Sequence, residues 1–342
     1  MEKITKDLLN WYQKNKRDLP WRRTKNPYYI WVSEIMLQQT RVEAVKVYYE
    51  RFITKLPTLS DLATIPEDEL LKLWEGLGYY SRVRNMQACA KQIIASGLTN
   101  LPNTKEELLE LPGIGNYTAG AILSIAFNIP SVAIDGNVYR VLGRYYKIGE
   151  SITKNSTYHI YEKKMQKILS VKNAGDFTQS FMDLGSLICT PKSPKCELCP
   201  LQNDCGARKN NQVEVYPVKE RKKEQRIEER TVYLYRCNNK IAIQKRKDKG
   251  LLASMYEFPN TLETVSTIDI ENNLLRQGIS FYSVLEVGES KHIFSHIIWY
   301  MKGYIIELKE PIGNYIWATI EELQEKYSIP SAFSYYYQIL LK

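Results

Sequence analysis

The stretch Leu111-Pro112-Gly113-Ile114-Gly115, followed at once by the apolar run Tyr117 to Phe127, decides the reading of the fold. Upstream, Thr104-Lys105-Glu106-Glu107 has the form of a capping box, so a second helix ends where the glycines begin. Two helices are thus joined through a glycine-rich hairpin. Its glycines permit a tight turn, and its exposed amides at a helix N-terminus suit a phosphate whatever the base sequence. An ordinary helix–helix turn also fits this segment when it is read alone. Outward from the hairpin, amphipathic helices fill the chain to about residue 188. Leu8, Leu9, Trp11 and Tyr12 mark one, Leu70, Leu71, Leu73 and Trp74 another, and Pro66-Glu67-Asp68-Glu69 is a helix start.

Three side-chain sets in this helical half carry chemistry. Asp135 follows Ala133-Ile134 and precedes an amphipathic run of Val138, Val141, Leu142 and Tyr145, which makes it an N-cap. Capping amides hold a carboxylate ionised, so the same aspartate is suited to stabilise a positive centre. Glu34 has Ile30, Trp31 and Leu37 as its helical neighbours, an apolar face that raises a carboxyl pKa towards the range of a general acid. A helix-edge glutamate paired with Arg41 is the alternative. Cys189, Cys196, Cys199 and Cys205 stand as C-x6-C-x2-C-x5-C with prolines at 191, 194 and 200, which points to metal ligation. Tetrahedral zinc and an iron–sulfur cluster both fit four thiolates at this stage.

Length and composition set the frame. At 342 residues two compact domains are expected, and 44% hydrophobic with 25% charged residues excludes wholesale disorder. The net charge of +9 favours a polyanionic partner. No apolar run reaches the ~18 residues of a membrane span, and the start Met1 to Asp7 lacks a secretion signal, so a cytoplasmic protein, and no membrane partner, is expected. In that reducing setting the six cysteines argue against disulfides. Residues 206–230, with the run Lys219 to Glu224, read as a solvated linker. Beyond them, Thr231 to Tyr235 and Ile297 to Met301 read as strands, and Ile320 to Lys326 and Ser334 to Leu341 as helices. The expected organisation is a mostly α-helical domain over 1–205 including the cysteine loop 189–205, a linker, and a smaller α+β domain over 231–342.

The hairpin, the aspartate some 20 residues after it and the cysteine loop together resemble the helix-hairpin-helix superfamily of DNA glycosylases. That resemblance implies a 4Fe–4S cluster in the loop, structural or DNA-sensing in role. Within the superfamily, the endonuclease III type has a lysine nucleophile where this chain has Tyr117, which removes the Schiff base of a lyase. Ser33-Glu34-Ile35-Met36-Leu37-Gln38-Gln39-Thr40 and Gly76-Leu77-Gly78-Tyr79-Tyr80-Ser81-Arg82 look instead like the MutY-type adenine DNA glycosylases. Gly250 to Pro259 resembles the entry to a Nudix domain, yet residues 260 to 280 lack the arginine–glutamate helix that holds magnesium in the hydrolases. A Nudix-like domain that recognises an oxidised base without hydrolysis is therefore implied.

The resemblance further implies a monomer that flips adenine out of duplex DNA opposite 8-oxoguanine or guanine and hydrolyses its glycosidic bond. It assigns Glu34 as the acid at adenine N7 and Asp135 as the stabiliser of the sugar cation, with Tyr117 and Asn137 positioning them. Gln39, Thr40 and Tyr79 would contact the mispair, and Gly113 and Gly115 the DNA backbone. Phe294, Ser295 and His296 match the loop that senses 8-oxoguanine, although Ser295 and His296 also read as plain hairpin residues. Leu19, Trp21 and Gln179 match the adenine pocket. An endonuclease III-like lyase acting on oxidised pyrimidines and a non-catalytic iron–sulfur DNA-binding protein are the competing classes.

Overall fold

The computed structural model describes residues 2–220 and 224–341, so the middle of the charged run Lys219 to Glu224 lies outside the described residues. The chain divides into two compact units, Met1–Thr64 with Arg84–Arg221, and Ile65–Val83 with Lys222–Lys342. Among the described residues no helix is long and apolar enough to cross a membrane.

The first unit is helical. Its main core joins Ile4, Leu8 and Leu9 of the Lys3–Asn15 helix to Val138, Val141 and Leu142 of Gly136–Tyr146, Tyr161 and Met165 of Asn155–Ile168, and Phe177, Phe181 and Leu184 of Ala174–Leu187. Each set recurs at three- and four-residue steps, so each helix turns one apolar stripe inward. The Pro27–Leu37 helix departs from that pattern. Tyr28, Ile30, Trp31, Val32, Ser33, Glu34, Ile35 and Met36 are all buried in it, leaving no solvated stripe. A helix apolar all round belongs inside a unit, and it carries Glu34 inside with it.

The hairpin lies between the short Lys105–Leu109 helix and Asn116–Ile125. Thr104 caps the first by accepting from the Glu107 amide, while the Glu107 carboxylate turns to the Thr104 hydroxyl. Gly113 sits at φ +77°, and a Cβ there would stand 2.7 Å from Asn85 Cβ, so both backbone and space demand glycine.

The second unit is built on a seven-stranded sheet: β1 (Arg226–Cys237), β2 (Lys240–Lys245), β3 (Tyr256–Glu257), β4 (Asn260–Thr261), β5 (Phe281–Ile293), β6 (Ile297–Leu308) and β7 (Ile316–Ala318). Its order is β3-β2-β1-β6-β5, with β4 on β1 and β7 on β2; β1 and β6 run parallel and the other pairs antiparallel. Period-two alternation separates two cores. Val232 and Leu234 of β1 join Trp299, Met301, Phe333 and Tyr336 on one face. Cys237, with Tyr233 and Tyr235 packed against it, joins Ile270, Leu274, Tyr304 and Ile306 on the other. The α+β architecture expected for the C-terminal half is present.

Among the described residues, 206–220 and 224–230 carry more structure than a solvated linker. They hold a Gly206–Lys209 helix, a Val213–Val215 3-10 turn and the first residues of β1. On β1 itself, Arg226 and Arg230 both pair with Glu228 along one face. Backbone bonds such as Ile152 N–H to Val218 O, 3.0 Å, hold the earlier part.

Candidate active site

A cavity of about 570 Å³ opens in the helical unit, with Leu19, Trp21, Glu34, Gln39, Thr40, Tyr117, Asp135, Asn137 and Gln179 all on its walls. These nine expected site residues come from five separate stretches of the chain. Leu19 and Trp21 are buried at the Pro20–Arg22 turn, and Gln179 is buried on Ala174–Leu187.

Glu34 is 4% exposed. Tyr117 donates its hydroxyl to Glu34 Oε2 at 2.6 Å. Burial pushes the carboxyl up to about 7, the Asp135 charge adds to that, and the Tyr117 hydrogen bond and the Arg22 charge pull it back. Glu34 is thereby poised to hold a proton near neutrality and to give it up, the property required of a general acid. The bonded partner is Tyr117 and not the Arg41 considered from sequence.

Asp135 caps the Gly136–Tyr146 helix: Oδ1 accepts from the amides of Asn137 and Val138 at 2.9 and 2.8 Å, and Oδ2 accepts from Asn137 Nδ2 at 2.6 Å. The sequence led us to expect these bonds to keep the carboxylate ionised. Burial instead outweighs them, and its pKa lies above the usual aspartate value, restrained by the Val138 and Asn137 hydrogen bonds and by the Arg140 charge. The cavity therefore contains two carboxyls, each raised by burial and Glu34 also by the Asp135 charge, with separate hydrogen-bond partners.

Two charged groups, one on these walls and one bonded to them, have no motif that announces them. Asp183, fully buried, accepts from Arg17 Nε at 2.7 Å and from Arg22 Nη1 and Nη2 at 2.7 and 2.9 Å. Burial raises its carboxyl, but the two guanidiniums more than offset that and hold it below the usual range. Arg17 and Arg22 line the cavity, and the Arg22 charge acts on Glu34. Arg140 is the other: Nη2 donates to Asn137 Oδ1 at 2.7 Å and to Gly185 O at 2.7 Å, while Nε donates to Cys189 O at 2.5 Å. Spacing was the available signal, since Arg140 lies three residues after Asn137 and Asp183 four after Gln179 on the same helices.

Other expected residues lie off these walls. Gly113 and Gly115 are exposed at the hairpin, where Gly115 is the N-cap of Asn116–Ile125 without a side-chain cap. Within the second unit, Phe294, Ser295 and His296 form the turn between β5 and β6. Phe294 packs against His292 and Trp299 at ring-centroid distances of 4.5 and 4.8 Å, and Ser295 and His296 are exposed. Tyr79 is 49% exposed. Gln39 and Tyr79 both have left-handed backbones, φ 59° and 47°, unusual for residues with a Cβ.

Cys189, Cys196, Cys199 and Cys205 are free thiols that line one small cavity with Arg144 and Arg208. Buried Arg144 donates from Nη1 to Cys189 Sγ at 3.3 Å and to Thr190 O at 2.8 Å. Among the described residues no three His, Cys, Asp or Glu side chains converge on a single-ion position. Four soft thiolates spread round a cavity, with a guanidinium to offset their charge, fit the corners of an iron–sulfur cluster.

Comparison with known proteins gives the family. Residues 32–168 match the HhH-GPD superfamily of base excision DNA repair proteins, 189–205 the iron–sulfur binding domain of endonuclease III, and 230–338 the NUDIX domain. The loop is thus a 4Fe–4S site. An adenine DNA glycosylase of Buchnera aphidicola subsp. Baizongia pistaciae (strain Bp) is 37% identical over 298 residues, covering 86% of this chain and 83% of its own. That of Homo sapiens is 32% identical over 382 residues, covering 92% and 70%. Among solved structures, a thermostable thymine-DNA glycosylase aligns with TM-score 0.56 at 28% identity, over 60% of this chain and 95% of that one. An endonuclease III in a non-covalent DNA complex aligns with TM-score 0.53 at 25% identity, over 61% and 94%. Helical base-excision unit, iron–sulfur loop and Nudix-like unit occur here in one chain, and the chain belongs to the adenine DNA glycosylases.

Proposed function

We propose that the enzyme excises adenine mispaired with 8-oxoguanine or guanine in double-stranded DNA, as a monofunctional, monomeric glycosylase acting in the cytoplasm. The observation that carries this reading is the pair of raised, separately hydrogen-bonded carboxyls, Glu34 and Asp135, on the walls of one cavity.

Cleavage of the glycosidic bond needs a protonated leaving group and a stabilised sugar cation. Glu34 protonates the flipped adenine at N7, so that the base leaves neutral, and afterwards accepts a proton from the incoming water. Asp135 faces the developing oxocarbenium ion, with its second oxygen fixed by Asn137. Tyr117 holds Glu34 Oε2, and Leu19, Trp21 and Gln179 enclose the base. Cys189, Cys196, Cys199 and Cys205 would hold the cluster, which would supply a cross-link across the 189–205 loop. The amides at Gly113 and Gly115 take a DNA phosphate. Gln39, Thr40 and Tyr79 occupy the mispair, and Phe294, Ser295 and His296 read the oxidised base. Flipping costs a few kcal/mol, within the range that stacking by a ring such as Tyr79 offsets, about 1–3 kcal/mol per base.

The test is incubation with duplexes carrying adenine opposite 8-oxoguanine, opposite guanine and opposite thymine, scoring free adenine and strand breaks separately. Adenine release at the mispairs without prompt strand cutting is the expected result. Strand cleavage during turnover, or no release by cluster-loaded protein, overturns the proposal. Tyr117 supports the monofunctional reading, because a phenol hydrogen-bonded to Glu34 cannot form a Schiff base.

Two further expectations arise here. A Cβ at Gly185 would stand 2.5 Å from Asn137 Cβ and 2.7 Å from its Oδ1, so Gly185→Ala must displace Asn137 and, through it, Asp135. Single-turnover adenine release should drop by about tenfold or more with duplex affinity retained. Arg144→Met leaves Cys189 Sγ and the carbonyls of Thr190 and Pro191 without their donor. Iron content and visible cluster absorbance of the purified protein are expected to fall.

A further inference from the structure

The segment Ile65–Val83 belongs to the strand-bearing unit although helical sequence flanks it on both sides. Three of its charged side chains make the attachment. Asp68 accepts from Lys245 Nζ at 2.7 Å and from the Tyr256 hydroxyl at 3.1 Å. Lys72 Nζ donates to the carbonyls of Tyr327 and Leu323 at 3.0 and 3.3 Å. Glu75 pairs with Lys72 at 2.7 Å and accepts from the Ile329 amide at 2.9 Å. The attachment thus uses β2, β3 and the chain around and beyond the Ile320–Glu325 helix.

Immediately after Glu75 comes the loop Gly76-Leu77-Gly78-Tyr79, which has little freedom of its own. Gly76, Gly78 and Tyr79 have φ of 97°, 67° and 47°. Trp74 Nε1 and Arg82 Nη2 both donate to Gly78 O at 3.1 Å, and Arg82 Nη2 also donates to Leu77 O at 2.9 Å. The Arg82 guanidinium lies 5.3 Å from the Trp74 ring centroid and 5.7 Å from that of Tyr79. A half-exposed aromatic ring is thereby fixed at one end of a short, braced loop, and the other end of that loop is Glu75.

We propose that Glu75, together with Lys72, is a positioning residue for mispair recognition: their bonds to the Ile329 amide and to the Leu323 and Tyr327 carbonyls clamp the 76–79 loop to the rest of the strand-bearing unit, so that Tyr79 meets the base opposite adenine in one orientation. This rests on the reading above that Tyr79 contacts the 8-oxoguanine side. The two residues touch neither base nor reacting atoms. Their effect belongs to discrimination and not to bond cleavage.

The test uses the full, cluster-loaded chain and measures duplex affinity and single-turnover adenine release at saturating enzyme, for adenine opposite 8-oxoguanine and opposite guanine. Glu75→Ala is expected to cut the preference for 8-oxoguanine in affinity by about tenfold, while saturated release at the guanine mispair stays within about twofold of the parent. Glu75→Gln retains an acceptor for the Ile329 amide and should recover most of the preference. In a Tyr79→Ala background Glu75→Ala should take away little more, because both act through one ring. Equal losses on the two duplexes, full additivity with Tyr79→Ala, or an unchanged preference in Glu75→Ala overturns the proposal. A parent enzyme that does not distinguish the duplexes at all instead overturns the reading of Tyr79, which separates the two failures.

Discussion

Glu34→Gln is expected to lower adenine release from an adenine–8-oxoguanine duplex by about 10³-fold while leaving duplex affinity within a few fold. The amide is isosteric and can still accept from Tyr117, so the cavity wall persists, but it has no proton of suitable acidity for the leaving base. Single-turnover release measured beside duplex affinity checks this, and normal excision by the variant sinks the role. The pH dependence follows from the same burial. Only protonated Glu34 serves as the acid, so release should fall as pH rises through about 7. Asp135 must be ionised to face a cation, so a second loss is expected on the acid side, above the ordinary aspartate range because its pKa is raised. The two limbs belong to the coupled pair.

Stability supplies an independent check. Glu34 goes from an ordinary 4.5 in the unfolded chain to about 7 in the folded one, so the folded state binds the extra proton between those values. Stability therefore declines as pH rises across that window, by about 3 kcal/mol in all, and the penalty is complete above it. Glu34→Gln removes an ionisation that the apolar Pro27–Leu37 helix opposes. Its thermal midpoint at pH 8 should exceed the parent's by several degrees, with the difference shrinking towards pH 5.

Asp135→Asn is the second large effect, an expected loss of about 10²–10³-fold in adenine release. The substitution separates two roles held by one side chain. An asparagine oxygen can still accept from the Asn137 and Val138 amides, so the start of the Gly136–Tyr146 helix survives. What disappears is the negative charge facing the sugar. Circular dichroism and thermal midpoint near those of the parent, with release abolished, is the expected combination. Release close to the parent rate would assign Asp135 to capping alone.

Much of this site was legible before any coordinates, and the reason is locality. The hairpin glycines, the Asp135 cap and the four cysteines each lie within a short stretch whose spacing constrains them, and the burial of Glu34 followed from its apolar neighbours. What sequence did not disclose depends on contacts between distant positions. Asp183 meets Arg22 across 161 residues and Arg17 across 166, and nothing near any of the three foretells the triad. Arg140 reads as one more surface charge on a helix until Asn137, Gly185 and Cys189 are brought round it. The balance at Asp135 was also illegible, because the cap is local whereas the burial that outweighs it comes from the packed cavity. The order within 206–220 is not legible locally, because contacts with distant residues hold it, such as Ile152 N–H to Val218 O.

The two-piece make-up of the strand-bearing unit bears on how this enzyme can be taken apart or recombined. Ile65–Val83 and Lys222–Lys342 form one body from two separated lengths of chain. A graft that exchanges only the C-terminal length with a relative's would set foreign side chains against Asp68, and foreign carbonyls and amides against Lys72 and Glu75. Inheritance of mismatch reading as a portable cassette therefore requires that both lengths travel together, and homologous substitutions on one side of that seam should be matched by compensating changes on the other.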